Sequence, residues 1–143
     1  MFNMLFDTAG SVEAAFYKAF SSFDLGLMTE VWTDSNKACC IHPGSGLLKG
    51  KTSVMASWMK IFSGGEPPVI EHRFIQGFTD ENLVVHLVEE RIRPRDKASA
   101  AANRILVTNI YVQEEGSWRL AEHHASLPLV ERETPTSEQR RLH

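Results

Sequence analysis

The sequence predicts an α+β domain, three helices followed by a mainly antiparallel sheet, on three observations. Apolar residues recur at helical spacing within the first 62 positions. Four strand-like runs fill most of the remainder, each bounded by turn residues. Between the two regimes stands Ser63-Gly64-Gly65-Glu66-Pro67-Pro68, which no helix continues through. Helices first and strands afterwards is the α+β order, with the helices expected on the concave side of a curved sheet.

Each element has its own signal. Ser11 precedes Val12, Ala15, Phe16, Ala19, Phe20 and Phe23, which predicts a first helix near 11–23 with Ser11 as its N-cap. Asp24 is expected to cap a shorter helix over 25–34 carrying Leu25, Met28, Val31 and Trp32. Residues 38–42, ACCIH, read as a short strand, Pro43–Gly46 as a turn, and 47–50 as a returning strand. Thr52 opens a third helix through Phe62, with Val54, Met55, Trp58 and Met59 in its apolar stripe. Long strands follow near 69–78, 82–93, 103–113 and 117–126.

At 143 residues the chain is expected to form one domain over residues 1–130, followed by a mobile charged tail over 131–143. A formal charge of −3 offers no basic footprint for nucleic acid, and no apolar run approaches the roughly 20 residues of a membrane span. The opening MFNMLFD lacks the basic start and apolar length of a secretory signal. A cytoplasmic location is therefore expected, with the neighbouring Cys39 and Cys40 as buried reduced thiols.

The segment 116–126, GSWRLAEHHAS, carries the richest chemistry. Strand alternation puts Trp118, Leu120, Glu122 and His124 on one face and Arg119, Ala121, His123 and Ala125 on the other. His123 and His124 therefore cannot chelate one ion from a regular strand. If the hairpin closes on residues 114–117, Gln113 pairs with Trp118, Tyr111 with Leu120, Asn109 with Glu122 and Val107 with His124. A one-residue slip would exchange the faces. Along the 82–93 strand, Glu89 and Arg91 share one side and His86 and Glu90 the other.

Two segments together, ACCIHPGSGLLKGKTSVMASW (38–58) and TNIYVQEEGSWRLAEHHAS (108–126), resemble the nuclear transport factor 2-like superfamily. SnoaL-like proteins and the association domain of calcium/calmodulin-dependent protein kinase II look most similar, and the likeness covers about residues 10–127. The resemblance implies a cone-shaped, cystatin-like fold whose concave face makes a pocket and whose convex face makes a homodimer. In the steroid-isomerase branch an Asp-Pro pair stands where His42-Pro43 stands here, and its Asp is the general base. His42 is then a base or shuttle near neutral pH, or an imidazole that simply ends the strand. The same branch places an oxyanion-hole tyrosine on the first helix, where Tyr17 is either that group or a packing residue. The arginines that line the kinase association pocket correspond to Glu89 and Asn109 here.

The candidate catalytic residues are accordingly His42 and His124. The candidate ligand-binding residues are Trp32, Trp58, Glu89, Arg91, Asn109, Tyr111, Trp118 and Glu122, the tryptophans serving as core and cavity wall. Asn109, Tyr111 or Arg91 would orient a carbonyl oxygen or enolate. No phosphate loop, G-x-S-x-G elbow or zinc spacing occurs, and neither a cofactor nor a metal is expected. The expected function is binding of a small apolar or carbonyl-bearing molecule, with isomerase, dehydratase or hydrolase chemistry by general acid and base. The alternative is a non-catalytic homodimerisation or assembly domain.

Overall fold

The computed structural model describes residues 4–97 and 101–129. The expected charged tail at 131–143 lies outside the described residues. Three helices, α1 (Ala9–Ser22), α2 (Leu25–Val31) and α3 (Lys51–Phe62), pack against a six-stranded open sheet. The strands are β1 (Cys39–Ile41), β2 (Leu47–Lys49), β3 (Val69–Thr79), β4 (Leu83–Arg93), β5 (Asn103–Glu114) and β6 (Ser117–Ser126). Their order is β2-β1-β6-β5-β4-β3, and β1 runs parallel to β6 while the other neighbours are antiparallel. The sheet is thus mixed, as expected.

Helix α1 starts two residues before Ser11, because Thr8 is the N-cap and Ser11 is its capping-box partner. The Thr8 hydroxyl accepts from Ser11 N–H at 3.0 Å, and Ser11 Oγ accepts from Thr8 N–H at 3.3 Å. Asp24 caps α2 as expected, accepting from Leu27 N–H. That helix ends at Val31 rather than 34, since Trp32 turns extended and forms a bridge with Leu120, and Thr33 N–H bonds Leu120 C=O. Among the described residues no helix is long and apolar enough to cross a membrane.

The β5–β6 hairpin closes as its sequence predicts, with Gln113 opposite Trp118 and Tyr111 opposite Leu120. Glu115 and Gly116 both take positive φ, the geometry that a tight two-residue hairpin turn demands. Past Tyr111 the register departs from expectation. Ala121 is an extra residue on β6, so Ile110 faces Glu122, Asn109 faces His123 and Val107 faces Ala125. From Glu122 onward every side chain is therefore on the opposite face from the one simple alternation assigns.

The core lies between helices and sheet. Phe16, Met28, Val31, Trp32, Val54 and Trp58 pack onto Val88, Tyr111 and Leu120. Phe16, Phe20 and Trp58 meet edge to face at 5.0–6.2 Å.

Candidate functional site

Four polar side chains from α1, β4, β5 and β6 meet within this apolar core. Tyr17 Oη donates to Glu90 Oε2 at 2.7 Å, and Asn109 Nδ2 donates to Tyr17 Oη at 3.3 Å. Asn109 Oδ1 and His123 Nδ1 are 2.6 Å apart. None of the four exposes more than 4% of its surface, so each must find its partner within the protein. Tyr17 reaches Glu90 because α1 presents Phe16 and Tyr17 inward, while β4 alternation turns Val84, His86, Val88 and Glu90 to the helices.

Burial sets the electrostatics. Desolvation pushes the Glu90 carboxyl up to about 7, against a smaller lowering by the Tyr17 hydrogen bond. The Tyr17 phenol is raised by burial first and by Glu90 second. His123 is lowered to about 3, by desolvation and then by the imidazoles of His42 and His124, and is neutral at physiological pH. Its ring packs on Phe16 at 4.8 Å and lies 6.0 Å from Trp58.

A second cluster stands beside the first. Glu13 Oε2 accepts from Tyr111 Oη at 2.6 Å and from His86 Nδ1 at 2.8 Å. A cavity of about 310 Å³, with Trp118, Val84 and His86 in its wall, opens at this end. At the other end, where Phe23 closes α1, a cavity of about 560 Å³ is lined by Phe23, Ile61, Pro68, Ile92, Arg93 and Asn103 among others. Glu90 shares the inner face of β4 with Ile92 of this wall and stands two residues, about 7 Å of strand, away from it.

The structure redistributes several expected site residues. Trp32, Trp58, Asn109, Tyr111 and Trp118 are buried on the helix side of the sheet. His42 is half-buried, lowered by burial, with Nε2 at 2.9 Å from Ser57 Oγ and its ring edge-on to Trp58 at 4.8 Å. His124 does not join it. The bulge at Ala121 turns His124 outward and exposed, and places His123 inside instead. Glu122 moves to the outer face for the same reason, beside Cys39.

Glu89 and Arg91 also leave the expected cavity. Both sit on the outer face, where Glu89 accepts from Arg91 Nε at 2.8 Å and from Arg73 Nη2 and Arg104 Nε at 3.0 Å. These guanidiniums, Arg91 foremost and then Arg104, hold the Glu89 carboxyl down at about 2. Cys40 is buried and pushed up to about 12 by desolvation, and Cys39 is half-buried.

Three helices on a mixed six-stranded sheet make an α+β fold of the nuclear transport factor 2-like and cystatin-like kind, and the comparisons agree. Residues 11–130 match the SnoaL-like domain, and the chain belongs to that family. A structure from Thiobacillus denitrificans, provisionally described as a calcium/calmodulin-dependent protein kinase type II association domain, is 30% identical with a TM-score of 0.83. That match covers 89% of this chain and all of the other. A provisionally assigned dehydratase of the NTF2-like family from Streptomyces avermitilis shares the fold at 23% identity and TM-score 0.73, over 85% of this chain and 94% of its own. The F-box protein SKIP8 of Arabidopsis thaliana is 26% identical over 128 residues, 85% of this chain. The chain spans about half the length of that relative.

Glu90, the buried carboxyl of this cluster, was not among the expected site residues, although its place beside His86 on one strand face was legible. Nor were Glu13 and His72, the latter stacked on the Tyr17 ring at 4.0 Å. A carboxylate within the apolar stripe of α1, between Val12 and Phe16, was the available signal for Glu13.

Proposed function

We propose that this SnoaL-like chain is a cytoplasmic small-molecule-binding domain, taking a small apolar, carbonyl-bearing molecule at the Phe23 end of the cone. Glu90, with Tyr17, is its acid–base group, and the chemistry is cofactor-free proton transfer of the isomerase or dehydratase kind. The observation that carries this reading is the Glu90–Tyr17 pair, a buried carboxyl held near neutrality two residues along β4 from Ile92, which lines a cavity of about 560 Å³. A carboxyl raised to about 7 is divided between acid and base at physiological pH, the condition under which general acid–base catalysis is most effective. The resemblance to a protein described as a dehydratase lies in the same direction.

The test is calorimetric titration with cyclohexenone and with 4-nitrophenol, a small enone and a small phenol. Saturable binding is expected, weakened at least tenfold by Asn103→Trp, which fills the cavity from the start of β5. No binding up to millimolar concentration, or binding indifferent to Asn103→Trp, would overturn the reading.

A second proposal concerns assembly. Val85, Leu87, Leu106, Ile110 and Val112 form a half-buried apolar set on the outer sheet face, which favours a homodimer through that face. The 30% identical relative described as an association domain supports it. Ala121 and Ala125, which simple alternation puts on the face opposite Trp118, are buried, and Ala125 points inward.

A further inference from the structure

We infer that Glu90, Tyr17, Asn109 and His123 form one reversible hydrogen-bond relay, through which the protonation of Glu90 selects the ring nitrogen of His123 that carries hydrogen. Donor and acceptor identity at each link sets the direction of the chain. An ionised carboxylate only accepts, so the Tyr17 phenol must donate across its 2.7 Å contact. The phenol oxygen is then free to receive the Asn109 amide N–H. That orientation turns Asn109 Oδ1 to His123, and a carbonyl oxygen cannot donate, so Nδ1 carries the hydrogen across 2.6 Å. Nε2 is left with a lone pair, and the imidazole in this state is a base.

A proton taken up by Glu90 at Oε2, the oxygen that Tyr17 contacts, reverses the order. The acid O–H becomes a donor to the Tyr17 oxygen, and the phenol hydrogen needs a new acceptor. A half-turn of the Asn109 amide supplies its Oδ1 to Tyr17 and presents its NH₂ to His123 Nδ1, which must then accept. Glu90 gains one proton from water. The imidazole loses the Nδ1 proton to water and takes one at Nε2, so it stays neutral and becomes an N–H donor at Nε2. Partial reversal would leave two donors or two acceptors facing each other. With every member at most 4% exposed, such a mismatch has no water to relieve it.

Other titratable groups surround the relay. Glu13 on α1 is engaged by Tyr111 and His86. The Asn109 amide also donates toward the Tyr111 phenol oxygen, whose own hydrogen goes to Glu13, so the half-turn gives up that second contact. His72 on β3, opposite Glu90, covers the ring of Tyr17. His42, after β1, and His124, on β6, bear on His123 through their charge and disfavour its imidazolium. The relay is therefore expected to respond to Glu90 with His123 remaining uncharged.

The relay consists of the chain's own side chains, so it is tested on the ligand-free protein and separately from the binding reading. Histidine-selective ¹⁵N NMR of the full chain between pH 5.5 and 9 identifies each tautomer. His123 is expected to be Nδ1–H at pH 9 and Nε2–H at pH 5.5, crossing with the titration of Glu90. Glu90→Gln should flatten the crossing to one tautomer throughout. Tyr17→Phe should flatten it too, while Glu90 still titrates by its carboxyl carbon. A single wild-type tautomer over the range, an imidazolium at pH 5.5, or a crossing that survives either substitution overturns the relay. The wild-type titration decides the matter even where a variant fails to fold.

Discussion

Tyr17 on α1 donates its phenol hydrogen to Glu90 on β4 across 2.7 Å, joining the first helix to the centre of the sheet. The two residues are 73 apart in sequence, and each is buried. An acid placed so deep raises its own pKa, because the core solvates the charged form poorly. That one contact links the fold to the chemistry proposed for it.

Stability should therefore depend on Glu90 in a defined pH window. Its folded value, about 7, lies above its ordinary 4.5, so the native state holds a proton that the unfolded chain releases. The contribution is fully present below about pH 4.5 and is lost as pH rises through about 7. Glu90→Gln carries no such charge, so its stability relative to wild type should rise between those values, by an amount of order 1–3 kcal/mol. Urea denaturation at pH 5 and pH 8 checks this, and an unchanged difference between the proteins would count against it.

Tyr17→Phe removes the donor that partly offsets burial, so the Glu90 carboxyl should titrate still higher in that variant. The ¹³C shift of its carboxyl carbon against pH reads the change directly. A midpoint that falls would mean the phenol does not stabilise the carboxylate.

The adjacent histidines should behave unlike one another. His123→Ala leaves a cavity among Phe16 and Trp58 and strands Asn109 Oδ1, at a cost of about 2–4 kcal/mol. His124→Ala on the outer face should change stability by no more than about 0.5 kcal/mol. Thermal denaturation of the two variants distinguishes them, and equal effects would contradict the bulged register.

That contrast marks how far the sequence could be read. Caps, turns and alternation located all nine elements among the described residues, and Glu115-Gly116 set the register at Gln113 and Trp118. The bulge at Ala121 has no counterpart in residue type, since Leu120 and Ala121 are both acceptable on either face. One extra residue was enough to exchange His123 for His124. On β4 the ambiguity was different. Val84 and Val88 mark one face and Val85 and Leu87 the other, so hydrophobicity alone could not decide between Glu89 and Glu90. Their environments decide it, three guanidiniums for Glu89 and a phenol for Glu90.

Glu89 gives the opposite pH response. Its pKa is depressed to about 2, so its contribution is present above its ordinary value of 4.5 and lost as pH falls through about 2. Glu89→Gln should therefore show less additional destabilisation than wild type on acidification from pH 5 to pH 2. Denaturation midpoints over that range check it, and parallel curves would remove the arginine clamp from the account.

The proposed homodimer predicts that Ile110→Glu yields monomers, because the new carboxylate would be buried unpaired at the outer face. Sedimentation velocity at micromolar concentration decides. A wild type that is itself monomeric would defeat the proposal.

The most direct test of the central claim is the titration of Glu90 in the intact wild-type protein. With the chain labelled at glutamate side-chain carboxyl carbons, and Glu90→Gln used to assign the resonance, the account predicts a midpoint of about 7. A Glu90 midpoint at the ordinary value near 4.5 would mean that the carboxyl is solvated rather than held in the core, and the acid–base role assigned to it would fall.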